Sequence, residues 1–234
     1  MWSGPRTVST ALMRAWENRS DTAVMDEPLY AYYLFETGAE HPGSDDVIRA
    51  GPTGIDDAVG LCVQPRLESG QSISYQKHMA HHLLENTPRQ WIEGATNLLL
   101  IRDPRRVIVS YAKVLPRPTL RDLGFPQLVD LQRRFGPLPV IDSDALLTGP
   151  ERALRTICGL AGVGFDPAML SWPAGSRPSD GVWAAHWYSA VEASTSFAPP
   201  PVNNPAILDV PDGLDSLVEA ASEYYHELLC DRVV

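Results

Sequence analysis

The sequence predicts an α/β fold: a central five-stranded, mainly parallel sheet flanked by helices, in a single domain over residues 1–234. Two observations lead there. Short apolar runs alternate with amphipathic stretches along the chain, the pattern left when crossover helices return a chain to a parallel sheet. At 234 residues and 44% hydrophobic content, the chain has the size and apolar mass for one substantial core, and it shows no internal repeat or low-complexity tract.

The sheet begins with a stub at Met1-Trp2, so short that the natural start is expected upstream of Met1. Ser3-Gly4-Pro5 then turns the chain into a helix over Ser9–Asn18. Further strands are read at Thr22–Met25, Ser72–Gln76, Asn97–Ile101 and Leu138–Ile141. Further helices are read at Ile55–Glu68, Ala80–Asn86, Pro104–Val114, Leu128–Phe135, Glu151–Leu160 and Leu214–Leu229. Asp103 as N-cap and Pro104 at the first helical position define the start of one of them. Gly38–Pro52, rich in Gly, Pro and Asp, reads as a loop over the sheet edge, and Ser171–Pro205, mixing aromatics with turn formers, reads as a lid. Ala198-Pro199-Pro200-Pro201 reads as an extended connector.

Composition narrows the function. A formal net charge of −10 argues against nucleic acid or an anionic membrane surface as partner. Cys62, Cys158 and Cys230 are widely spaced and odd in number, so neither a disulfide framework nor a metal pattern is indicated, and a reducing cytoplasm is the expected location. The longest apolar stretch, Leu98 to Ile101, is far too short to span a bilayer. The sequence leaves the oligomeric state open.

Two stretches carry the chemistry. In Pro5-Arg6-Thr7-Val8-Ser9-Thr10 a turn delivers hydroxyls and free backbone N–H groups to a helix N-terminus, which favours an anion. In Ile101-Arg102-Asp103-Pro104 an arginine sits at a strand end, with Ser110 eight residues on. A ligand with two separated phosphate-type groups, a nucleotide phosphorylated at its 5′ and 3′ positions, suits this pair better than ATP, and such a nucleotide points to sulfuryl transfer. Taken alone, the first stretch is more often just a helix start and the second a solvated helix entrance capped by Asp103; their spacing and order together favour the anion reading.

Across most of its length the sequence resembles the P-loop-like sulfotransferases that use 3′-phosphoadenosine 5′-phosphosulfate (PAPS), whose architecture is akin to that of P-loop NTPases. The resemblance implies that Pro5, Arg6, Thr7, Val8, Ser9 and Thr10 form the 5′-phosphosulfate loop, with Arg6 in place of the usual lysine. It implies that Arg102 and Ser110 hold the 3′-phosphate. Val140-Ile141-Asp142-Ser143-Asp144-Ala145-Leu146 is similar to the family's acidic-leucine loop, and Gly181-Val182-Trp183 to its lid, with Arg177 preceding it and Trp183 beside the nucleotide. The chain departs from the pattern at Val8, where glycine is usual, and at Ala184, where a lysine is usual.

The expected activity is therefore transfer of a sulfuryl group from PAPS to a hydroxyl or amine of a small-molecule acceptor, giving adenosine 3′,5′-bisphosphate (PAP) without a metal. Two residues qualify as base: His78, after the third strand, and Glu27, after the second. Lys77 is expected to donate to the sulfuryl or bridging oxygen, and Arg6 to hold the leaving phosphate. His81 and His82 are expected on a helix surface. His78 and His82 keep an i, i+4 spacing but lack the intervening glutamate of zinc proteases, so no metal site is read. The alternatives are a non-catalytic binder of PAP or PAPS and a nucleotide-dependent small-molecule kinase, although the first loop lacks the Gly-Lys-Ser/Thr ending that cradles ATP.

Overall fold

A computed structural model of the chain describes residues 1–200 and 204–234. Among these, β1 (Trp2–Ser3), β2 (Thr22–Asp26), β3 (Ile73–Met79), β4 (Leu99–Ile101) and β5 (Val140–Asp142) form one five-stranded sheet in the order β2-β3-β1-β4-β5. Every neighbouring pair is parallel, so the expected mainly parallel sheet is wholly so.

The flanking helices are α1 (Ser9–Glu17), α2 (Tyr30–Thr37), α3 (Ser44–Ala50), α4 (Ile55–Val63), α5 (Pro104–Tyr111), α6 (Phe125–Phe135), α7 (Ser143–Thr148), α8 (Pro150–Leu160), α9 (Ala184–Trp187), α10 (Ser189–Glu192) and α11 (Asp215–Leu229). They cover both faces of the sheet. Along β4, Leu99 and Ile101 pack into one apolar cluster with Trp2 and Val140, while Leu98 and Leu100 pack into another with Leu12 and Ile141. This period-two division is what a parallel sheet buried on both sides requires. Among the described residues no helix is long and apolar enough to cross a membrane.

Four expectations change. The helix beginning at Ile55 stops at Val63 because Pro65 biases the residue before it away from helical geometry. Ala80–Asn86 is not an α-helix; only Ala80–His82 forms a single 3₁₀ turn. Gly38–Pro52 is not simply a loop but contains α3, with Asp45 and Asp46 in its first turn favoured by the helix dipole. The region 171–200 carries α9 and α10, and the end of the expected connector, Pro201, lies outside the described residues.

The connections leaving β1, β3 and β4 meet at the carboxyl edge where chain order departs on either side of β1, the place where open α/β sheets bind ligands. Close backbone packing builds that corner: a Cβ on Gly4 would lie 2.3 Å from the Leu123 carbonyl oxygen, so only glycine fits. At the far edge the C-terminal residues run alongside β5, Val233 N donating to Val140 O at 2.9 Å and Asp142 N to Val234 O at 3.1 Å.

Candidate active site

A cavity of about 400 Å³ opens at this carboxyl edge. Its floor brings together the loop after β1, Glu27 after β2, Lys77 on β3, Arg102 after β4 and Ser110 on α5.

The β1–α1 loop takes an unusual path. Arg6 and Val8 have φ of 61° and 59°, left-handed values that are costly for a residue with a side chain, above all a β-branched one. Val8 therefore takes up the glycine-like conformation despite its side chain. Thr7 Oγ1 donates to Gly4 O at 2.9 Å, and among the described residues no side chain caps α1, whose first-turn N–H groups have no intrahelical acceptor. Arg6 Nε donates to Ser110 Oγ at 2.9 Å, and Arg102 Nη1 donates to Arg6 O at 3.1 Å, so the two expected anion sites adjoin. Burial and the neighbouring Arg102 charge lower the Arg6 pKa, an environment an anionic ligand would relieve. Asp144 is the counter-ion on this side, 3.4 Å from Arg102 Nε and 2.9 Å from Arg106 Nε.

Beside the loop lies a buried polar cluster that composition alone did not reveal. Lys77 Nζ donates to Asp26 Oδ1 at 2.8 Å, to Glu27 Oε1 at 2.5 Å and to the Tyr188 hydroxyl at 2.6 Å. An ammonium has three N–H donors, and all are engaged here. Lys77 is thus a counter-ion within the cluster, without a spare donor for the sulfuryl oxygen as the sequence reading expected. Burial pulls its pKa down, but the two carboxylates outweigh that and hold it charged. Burial raises the pKa of Glu27, which Lys77 opposes and Asp26 reinforces. Glu27 also has φ of 42°, a strained backbone of the kind that gathers at functional sites.

The other expected base lies elsewhere. His78 is absent from the cavity wall because side chains alternate along β3: Lys77 and Met79 face the cavity and His78 points to the opposite side. There it stacks on Trp2 with ring centroids 4.3 Å apart, and its Nε2 bonds Gln76 Oε1 at 3.1 Å. Burial keeps it neutral.

His81 and His82 are likewise not on a helix surface. The 3₁₀ turn folds both beneath α2, each 2% exposed, with His82 stacked on Tyr30 at 4.4 Å. Both line the cavity, as does His41, whose Nδ1 shares a 2.9 Å hydrogen bond with the Tyr30 hydroxyl. Burial lowers the pKa of all three, that of His81 to about 3, so they present neutral imidazoles. Among the described residues no group of three or more His, Cys, Asp or Glu side chains is arranged to hold a metal ion.

Residues 171–200 form the roof, contributing Tyr188, Val191, Ser194 and Phe197 to the wall. Arg177 and Trp183, expected at the nucleotide, do not reach the cavity. Arg177 N donates to Asp180 Oδ2 at 2.7 Å and its guanidinium turns to Pro173 O. Trp183 packs edge-on against Tyr30 behind the wall, with Nε1 donating to the Tyr188 hydroxyl at 3.1 Å. Tyr188 and Asp26 were not expected at the site, and Tyr30 and His41 were expected only as part of a substrate-facing segment; of the first two, only Asp26, adjacent to Glu27 at a strand end, carried a local signal.

A wholly parallel sheet whose first-strand loop opens onto an uncapped helix N-terminus, and whose fourth strand leads to Arg102 and Ser110, defines an α/β protein with arginines and hydroxyls gathered around one cavity at its sheet edge. The chain belongs to the sulfotransferase domain family, whose sequence profile it matches over residues 1–231. Its fold is similar to that of the sulfotransferase domain from the Synechococcus PCC 7002 olefin synthase, at 17% identity and a TM-score of 0.55 over 96% of this chain and 92% of that one. A sulfotransferase from Alicyclobacillus acidocaldarius gives 14% identity and a TM-score of 0.57 over 98% and 93%. Two Arabidopsis thaliana proteins, branched-chain-amino-acid aminotransferase-like proteins 1 and 2, are 37% and 33% identical over 203 residues. The match covers 85% of this chain but only 36% of either plant protein.

Proposed function

We propose that the protein transfers the sulfuryl group of PAPS to a hydroxyl or amine of a small-molecule acceptor, releasing PAP. One observation carries this reading: a single cavity joins Arg6, Arg102 and Ser110 to Glu27, so two anion-holding elements and a carboxylate base face one space. Its size of about 400 Å³ falls within the range of small-ligand sites. The aminotransferase-like name of the plant relatives describes proteins of which this chain spans 36%, whereas the sulfotransferase profile takes in every residue that lines the cavity.

In this reading Arg102 and Ser110 bind the 3′-phosphate, while Arg6 and the α1 N-terminus, with Ser9 and Thr10, bind the 5′-phosphosulfate. Glu27 accepts the acceptor's proton as its oxygen or nitrogen bonds to sulfur, and the bond from sulfur to the phosphate oxygen breaks. Arg6 and the helix N–H groups stabilise charge on the departing phosphate. Positioning and electrostatics supply the acceleration, as in phosphoryl transfer. Cys62, Cys158 and Cys230 are all free thiols, which is consistent with a cytoplasmic location.

Thermal-shift and calorimetric titration with PAP, ATP, ADP and NAD, followed by single-turnover transfer from labelled PAPS to a panel of phenols, alcohols and amines, tests the proposal. Selective PAP binding with transfer supports it. PAP binding without transfer to any acceptor marks a non-catalytic binder, and preference for ATP overturns it.

A further inference from the structure

Tyr188 joins the roof to the base cluster. It lies between α9 and α10 and is 4% exposed. Its hydroxyl donates to Asp26 Oδ2 at 2.6 Å, with Glu27 Oε1 a second and longer acceptor at 3.5 Å, and accepts from Lys77 Nζ at 2.6 Å and from Trp183 Nε1 at 3.1 Å. A phenolic hydroxyl offers one donor and two acceptor positions, and each is filled. The segment that carries it is anchored independently: Asp180 pairs with the buried Arg14 of α1 at 2.7 Å, Ser179 bonds Glu17, and Trp172 N donates to Thr195 O at 2.9 Å.

We propose that Tyr188 is a positioning residue for Glu27: its hydroxyl satisfies Asp26, so that Lys77 stays shared between Asp26 and Glu27, and seating of the roof segment thereby sets the base. Without the hydroxyl, Asp26 Oδ2 loses a donor 2.6 Å away and competes for the ammonium, leaving the Glu27 anion less supported. The groups facing Glu27 are Asp26 from β2, Lys77 from β3, Tyr188 from the roof, His82 Nδ1 at 3.9 Å, Tyr30 from α2 and Tyr111 from α5. His82 is neutral and burial raises the pKa of Tyr30 and Tyr111, so Lys77 is the cation available to Glu27 among them. Naming Glu27 a base rests on the proposed sulfuryl transfer; the arrangement around it does not.

The experiment titrates side-chain-carboxyl-¹³C-labelled glutamate by NMR in the full chain without nucleotide, with Glu27→Gln assigning the resonance. Tyr188→Phe should raise the Glu27 midpoint by about one pH unit, a tenfold change in proton affinity. The variant's kcat/KM should fall about tenfold on the acid limb and recover at alkaline pH, with PAP affinity retained. A midpoint that stays or falls overturns the proposal, as does a rate loss equal at every pH. If Tyr188→Phe does not fold, 3,5-difluorotyrosine at position 188, a stronger donor to Asp26, should lower the midpoint, and no movement overturns it. If the midpoint moves while the wild-type protein transfers no sulfuryl group, the functional reading fails and the positioning role stands.

Discussion

Arg102→Ala tests the 3′-phosphate site most directly. The Arg102 side chain is 14% exposed, lines the cavity, donates one hydrogen bond, from Nη1 to Arg6 O at 3.1 Å, and forms an ion pair with Asp144, whose Oδ1 lies 3.4 Å from Nε. A charge-assisted hydrogen bond to phosphate is worth about 1.5–3 kcal/mol, so PAP affinity should fall roughly 10- to 150-fold. The fold itself gives up one backbone hydrogen bond and an ion pair with a partly exposed carboxylate, together about 1 kcal/mol, or roughly 2–4 °C in Tm. Calorimetry with PAP and with adenosine 5′-monophosphate separates the two effects. The monophosphate lacks the 3′ group and should bind the variant within about threefold of wild type, so the preference for PAP collapses. Arg102→Lys should recover part of the loss, since it keeps the charge but not the planar fork. Unchanged PAP affinity would refute the assignment. Equal loss for both ligands would also refute it, showing that Arg102 acts only by holding the Arg6 carbonyl.

Other perturbations have equally definite outcomes. Glu27→Gln should lower kcat about 10²–10⁴-fold while PAP binding is retained, read by single-turnover transfer. His78→Ala should instead cost about 2–3 kcal/mol of stability through removal of the stack on Trp2, with kcat of the folded fraction near wild type; a selective loss of kcat would restore His78 as the base. Burial depresses the pKa of His78, His81 and His82, so below about pH 6.5 the unfolded chain binds protons that the native chain refuses. Stability is then full above that pH and falls as pH drops, by up to about 1.4 kcal/mol per pH unit for each histidine, partly offset by the raised pKa of Glu27. Urea melts between pH 7 and pH 5 measure this, and a flat profile would contradict neutral burial. Gly4→Ala forces a Cβ to within 2.3 Å of the Leu123 carbonyl oxygen, and should cost about 1–3 kcal/mol and weaken PAP binding, measured by thermal melts and calorimetry.

Much of the fold was legible because it is written locally. All five strands fall on stretches that the sequence marks, with ends shifted by a residue or a few. The loop after β1 and the Arg102–Ser110 pair were legible for the same reason, since each places its residues on one turn or one helix. His78 was misplaced by one residue of phase: in Ile73–Met79 the alternation that sends Lys77 inward sends its neighbour outward. His81 and His82 were misplaced because a single 3₁₀ turn and an α-helix start alike in sequence, yet only the former folds both rings under α2. Tyr188 gave no sign at all. It meets Lys77 across 111 positions of sequence, a pairing set by how the roof segment packs and by no periodicity within it. The same packing turns Arg177 and Trp183 away from the cavity.

The C-terminal residues beside β5 have a consequence for the protein in solution. A sheet margin with unpaired amides and carbonyls invites another chain to add a strand. Here Val140 O and the Asp142 amide are already engaged by Val233 and Val234, so that invitation is withdrawn along β5. Trimming these residues would reopen it, and self-association at high concentration would follow even with the cavity intact.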